Sequence, residues 1–173
     1  SLYEAGDYNT AAIELKKLLQ SDERNIEARI LLGKIQLWLG QSRHAESQFA
    51  KAVEYGAPPG ELAIPMARAL LGVGKYSQVL NELPLDSLPD PESRAELLVL
   101  RGRAYKALSQ PARAKAEFER ALNIKPDSAR AWLGLAEVSL AGRDYEKANR
   151  LIERVVAGDP AYVDALLLKA RIL

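Results

Sequence analysis

Small and large residues recur along this 173-residue chain with a period of 34. Leu98, Gly102, Ala114, Phe118, Ala121 and Pro126 are followed 34 positions later by Trp132, Ala136, Ala148, Ile152, Val155 and Pro160. A period of that length fits one helix, a turn and a second helix, which cannot bury an apolar face alone and must stack on its neighbours. With position 1 at Ala95 and Ala129, complete repeats run over 26–59, 60–94, 95–128 and 129–162, and partial repeats over 1–25 and 163–173. Position 8 is small at Gly33 and Gly102, and position 20 at Ala45, Ala114 and Ala148. Antiparallel helices approach closely only where no large side chain separates their backbones, while large residues such as Phe49 and Phe118 at position 24 fill the remaining space. Gly6-Asp7-Tyr8 and Gly142-Arg143-Asp144-Tyr145 read as turns in which glycine ends one helix and aspartate caps the next. Pro126 and Pro160 separate repeats, with Asp127-Ser128 as a helix start.

Repeat 60–94 departs from the pattern. It carries one extra residue, Val79 at the small position 20 and Pro65 inside its first helix. Pro84, Pro89 and Pro91 remove amide donors and disfavour helix before them, so its second helix is expected over Tyr76 to Leu83 only. Both ends of the chain cut through a repeat, which reads as a fragment of a longer array. An apolar edge at Leu166, Leu167, Ile172 and Leu173 is then expected to favour end-to-end association.

The spacing W-x2-L-G-x2-Y…A-x3-F-x2-A…P that these residues follow resembles the tetratricopeptide repeat family. The resemblance implies an all-α, right-handed superhelical solenoid of antiparallel helix pairs, used as a binding scaffold. It further implies that the first helix of each repeat lines a concave groove through positions 2, 5, 9, 12 and 13. Those positions place Ile30, Lys34, Leu37, Trp38, Ile64, Arg68, Leu71, Val99, Arg103, Leu133 and Glu137 on the expected partner-binding face. Positions 2 and 9 carry opposite signs within each repeat, as in Glu27 with Lys34, Glu96 with Arg103, and Arg130 with Glu137, which suggests a charge lattice between neighbouring helices. The apolar lane between these rows suits a peptide or protein ligand. Trp132 at position 4 is expected to pack within its own repeat, whereas Trp38 at position 13 stands near the rim as the main contact candidate, with packing on the next repeat as the alternative.

Lysine, asparagine and arginine at set positions hold terminal carboxylates in chaperone-binding members of the family, and the asparagines are missing here. A closer resemblance covers roughly residues 3–90. Ile13-Glu14-Leu15-Lys16, Leu18-Leu19-Gln20 and Gly56-Ala57 are similar to the large tetratricopeptide lipoproteins that accompany exosortase and PEP-CTERM sorting systems of Gram-negative bacteria. That resemblance implies a periplasmic or outer-membrane-associated protein, lipid-anchored through a part outside this sequence and associated with exopolysaccharide or surface-protein export. Direct contact with polysaccharide and a generic cytoplasmic adaptor are the alternatives.

Chemistry has little to work with. The sequence contains no cysteine, which excludes disulfides, zinc-thiolate sites and a cysteine nucleophile. Its one histidine, His44, has no acidic partner at helical spacing and reads as a surface residue. No catalytic residue, cofactor site or metal site is assigned, and the chain reads as non-enzymatic. The net charge of +1 gives no basic excess for nucleic acid. No apolar run approaches the ~20 residues of a membrane span, so no membrane contact is expected.

Overall fold

Most helices begin where a short polar side chain or a proline stands ready to close the first turn, α3, α5 and α10 being the exceptions. Asp7, Asn25, Asp90, Ser128 and Asp144 each accept a hydrogen bond from the backbone N–H three residues on, satisfying one of the donors that a helix start leaves open. The computed structural model describes residues 7–88 and 90–172, so Gly6 of the first turn, Pro89 and Leu173 lie outside the described residues. The elements are α1 (Tyr8–Ser21), α2 (Ile26–Trp38), α3 (Ser42–Glu54), α4 (Pro59–Gly72), α5 (Tyr76–Asn81), a 3-10 turn (Leu85–Ser87), α6 (Pro91–Ala107), α7 (Pro111–Ile124), α8 (Ala129–Ala141), α9 (Tyr145–Gly158) and α10 (Val163–Ala170). No strand forms among the described residues.

The chain divides into two bodies, Ser1–Pro89 and Asp90–Leu173. In the N-terminal body α1, α2, α3 and α4 pack in sequence, with α5 against α4; in the C-terminal body α6 to α10 do the same, and α8 also touches α6. Each complete repeat is the expected helix, turn, helix. The irregular repeat behaves as its prolines dictate: α5 stops at Asn81, two residues short of the expected end, and Val79 is fully buried at position 20. α4 runs through Pro65, whose missing N–H leaves the Glu61 carbonyl without its intrahelical donor. α6 starts at Pro91, four residues ahead of the repeat boundary at Ala95. The Asp90 carboxylate draws it out by accepting from the Ser93 N–H at 2.7 Å and the Ser93 hydroxyl at 2.8 Å. These bonds hold the Asp90 carboxyl below the usual carboxylate range.

Close approach at small residues sets the spacing of the pairs. A side-chain carbon added at Gly33 would lie 2.5 Å from the Phe49 ring, and one at Gly102 or Gly134 would lie 2.5 Å from the Phe118 ring. Phe118 on α7 therefore wedges between backbone of α6 and of α8. Ala45, Ala52, Ala114, Ala121 and Ala148 are all fully buried at the other small positions.

The turn within each repeat corrects one expectation. Position 15 has a left-handed backbone in all four complete repeats: Gly40 at φ 73°, Gly74 at 79°, Ser109 at 57° and Arg143 at 61°. In each case the next residue's N–H reaches back to close the helix end, as with Gln41 to the Gln36 carbonyl at 2.7 Å and Asp144 to the Ser139 carbonyl at 2.9 Å. The last turn-forming residue is thus Arg143, and Gly142 at φ −81° has an ordinary conformation. A side chain in this region costs ~1 kcal/mol or more, which glycine avoids. Arg143→Gly is expected to stabilise the C-terminal body by about 0.5–1 kcal/mol after allowing for glycine's greater freedom when unfolded. A thermal midpoint equal to or below the parent's contradicts it.

Candidate protein-binding faces

The first helices of the N-terminal body, α2 and α4, carry seven of the expected contact residues. Ile30 and Leu37 lie half-buried against the cluster of Phe49, Leu62 and Ala69. Ile64 and Leu71 are also half-buried, while Lys34 and Arg68 are exposed. Lys34 forms no hydrogen bond or ion pair among the described residues, so its ammonium faces solvent unpaired. Trp38 is 67% exposed. Its ring lies 4.0 Å from that of Tyr8, centroid to centroid, at a tilt of 37°. It leans on Tyr8 of α1, in the preceding repeat. The first loop brings α1 back antiparallel to α2, which puts the last turn of α2 beside the first turn of α1.

In the C-terminal body the same register positions are largely closed. Val99 is 4% exposed and Leu133 8% exposed, so neither offers a contact surface. Position 5 falls between neighbouring first helices: Leu133 packs with Ala165 and Leu168 of α10, and Val99 stands on the side of α6 that meets α8. Arg103 is exposed and unpaired among the described residues. Glu137 is held by the Lys106 ammonium.

The expected charge lattice takes a different form from the matched rows. Arg130 reaches Glu96 at 3.5 Å, which joins position 2 of successive repeats. Glu137 instead meets position 12 of the repeat before, because Lys106 lies one turn beyond Arg103 on α6. Such exposed pairs contribute at most about 1 kcal/mol each. They keep the face polar more than they hold it together.

At the end of the chain Val163, Leu166 and Leu167 are exposed, whereas Ile172 packs on the cluster of Leu133 and Ile152 and so does not belong to that edge. Leu173 lies outside the described residues. His44 is exposed, and no group of three or more metal-ligating side chains occurs among the described residues. No helix among them is long and apolar enough to cross a membrane.

The tetratricopeptide repeat family matches residues 2–59 and 105–172. The chain belongs to that family. No curated protein matches this tetratricopeptide chain. Among solved structures, it resembles PilW, described as a widely conserved type IV pilus biogenesis factor, at 20% identity and a TM-score of 0.80, covering 99% of this chain and 79% of that one. A thermophilic tetratricopeptide protein of Thermus thermophilus matches at 20% identity and a TM-score of 0.71, over 99% and 93% of the two chains. YrrB, described as a tetratricopeptide protein with an unusual peptide-binding site, matches at 19% identity and a TM-score of 0.66, over 98% and 87%. At these identities the likeness establishes the tetratricopeptide solenoid fold.

Sequence reasoning missed Arg29. It stands at position 4, where the other tetratricopeptide repeats place Ala63, Leu98, Trp132 and Leu166, and it is only 4% exposed. Its guanidinium donates from Nε and Nη2 to the Glu23 carbonyl at 2.8 and 2.6 Å, and from Nη1 to Gln48 Oε1 at 2.8 Å. The Tyr55 ring covers it at 5.2 Å. Trp132 does the same work from the equivalent position, since its indole N–H donates to the carbonyl of Pro126 at 2.9 Å, again six residues back. A charged residue at a register position otherwise apolar was the available signal. Gln36 is a second omission: it is buried on α2 with its Oε1 lacking a hydrogen-bond partner among the described residues, a defect that ordinarily costs about 1–3 kcal/mol.

Proposed function

We propose that this chain is a non-enzymatic protein-interaction scaffold that holds a peptide or protein partner on the α2–α4 face of its N-terminal body. The observation that carries the reading is Trp38: a large indole left exposed, yet held in place by the Tyr8 ring, with the unpaired Lys34 one turn away on the same helix. Such an aromatic has already lost part of its rotational freedom and is a good anchor, and the half-buried Leu37 beside it in the chain and Leu71 of α4 add partly covered apolar surface to the face. Lys34 favours an acidic group on the ligand. The peptide-binding site described for YrrB supports a peptide as ligand. The finer proposal is a place in surface-export machinery of a Gram-negative envelope, on the periplasmic side, supported by the resemblance of residues 3–90 to the lipoproteins of PEP-CTERM systems.

The test is site-specific photo-crosslinking in producing cells from position 38, with a control probe at the exposed Lys115 of α7, followed by affinity measurement on the captured partner. Trp38→Ala and Lys34→Glu are each expected to weaken that partner about tenfold or more, with helicity by circular dichroism unchanged. Unchanged affinity in both variants removes the α2–α4 face as the site. Recovery of the native protein only from the cytoplasmic fraction removes the envelope role.

A further inference from the structure

A cleft of about 610 Å³ opens in the C-terminal body beside Trp132, Arg154, Gly158 and Tyr162, with Asp127 on its rim. It lies at the corner where the loop before α8 meets the end of α9. The N-terminal body has the corresponding corner at the start of α2 and the end of α3, and a shift of 103 residues aligns the two. Asn25 and Ser128 are the matching helix caps. Arg29 and Trp132 match and both donate to the carbonyl six residues back. Lys51 matches Arg154, and Tyr55 matches Gly158.

In the N-terminal body that corner is plugged. The Tyr55 ring lies 5.2 Å from the Arg29 guanidinium and 5.7 Å from that of Arg24, and its hydroxyl donates to the Glu23 carboxylate at 3.4 Å. In the C-terminal body the matching Gly158 has no side chain, and the residue at position 4, Trp132, is covered by Arg154 instead of by an aromatic ring. The Gly158 backbone is helical, and a carbon added there meets nothing within 4 Å. The partners of Tyr55 are not repeated here, since Arg29, Arg24 and Glu23 correspond to Trp132, Asp127 and Pro126, but the walls again offer a cation, a flat face and carboxylates. The Arg154 guanidinium lies 4.2 Å from the Trp132 ring centroid, which fixes a cation at the cleft. With Pro126 in the place of Glu23 and Asp127 in that of Arg24, the carboxylate offered to a hydroxyl on this cleft is that of Asp127, exposed and without a hydrogen bond or ion pair among the described residues.

We infer that this cleft is a binding site for an aromatic side chain, preferentially tyrosine, of a peptide or protein partner, with Tyr55 as the template carried by the chain itself. The ring occupies the volume vacated at Gly158, packs beside Arg154 and Trp132, and its hydroxyl donates to Asp127. The site is separate from the α2–α4 face and does not depend on it.

The test is an NMR titration of the isotope-labelled chain with N-acetyl-tyrosinamide, using N-acetyl-leucinamide as the aliphatic comparison. Saturable shifts are expected at the Trp132 indole N–H and the Gly158 amide, with the tyrosine derivative bound about two- to fivefold more tightly than the leucine derivative. Gly158→Ala should retain binding. Gly158→Tyr should close the cleft and abolish the shift at the Trp132 indole, and Arg154→Ala should remove the preference for the aromatic probe. Absence of saturable shifts, equal binding of the two probes, or undiminished binding to Gly158→Tyr overturns the inference.

Discussion

Gly102→Leu is expected to destroy the packing of α6, α7 and α8 and to destabilise the C-terminal body by about 3 kcal/mol or more. The first added carbon would already stand 2.5 Å from the Phe118 ring. Phe118 is fully buried, and the same ring edge lies equally close to where a side-chain carbon at Gly134 would stand, so α8 leaves the ring little room to retreat from α6. The helices must separate, which exposes the alanines at positions 20 and 27 and loses the contacts that close approach provides. Ordinary overpacking costs about 1–3 kcal/mol, and a contact blocked on both sides belongs at or above the upper end. Hydrogen exchange is the suitable readout, because opening in repeat proteins is local and a single unfolding midpoint averages over it. Amides of α6 to α8 should lose protection while those of α2 to α4 keep theirs. Reducing the ring in the same chain, as Gly102→Leu with Phe118→Ala, should restore part of the loss. A single variant within about 1 kcal/mol of the parent would show that the contact is not what spaces these helices.

Arg29→Ala is expected to cost the N-terminal body about 3 kcal/mol. The guanidinium is buried and makes three hydrogen bonds, two to one backbone carbonyl, so truncation leaves the Glu23 carbonyl and Gln48 without donors. It also removes the surface on which Tyr55 rests. Arg29→Lys should recover little, because a single ammonium cannot span both acceptors. Arg29→Trp should recover more, since Trp132 makes the equivalent bond to the carbonyl six residues back in the other body. Chemical denaturation of the three variants gives the order. A loss of less than about 0.5 kcal/mol in Arg29→Ala would place this residue among the ordinary surface cations.

These two residues also mark what could be read before the fold was known. Gly102 was legible because its role is local to the repeat: a 34-residue spacing puts position 8 opposite position 24, and only a small residue can face a phenylalanine there. Arg29 was not, because its partners come from the preceding loop and the facing helix, and an arginine at an apolar position is ambiguous until those acceptors are located. The contact face divided in the same way. Lys34 and Trp38 are exposed as the register suggests, while Val99 and Leu133 share that register and are buried, since the packing of neighbouring first helices decides how much of position 5 is covered.

Periodicity, caps and prolines thus determined the helix pairs, the short α5 and the family, because each depends on residues within one repeat or its immediate neighbour. The tertiary structure decided which of several equivalent positions stay open. Gly158 and Tyr55 hold one register position, yet one leaves a cleft and the other plugs it. Register states where a side chain starts, and only the packing around it states what volume remains.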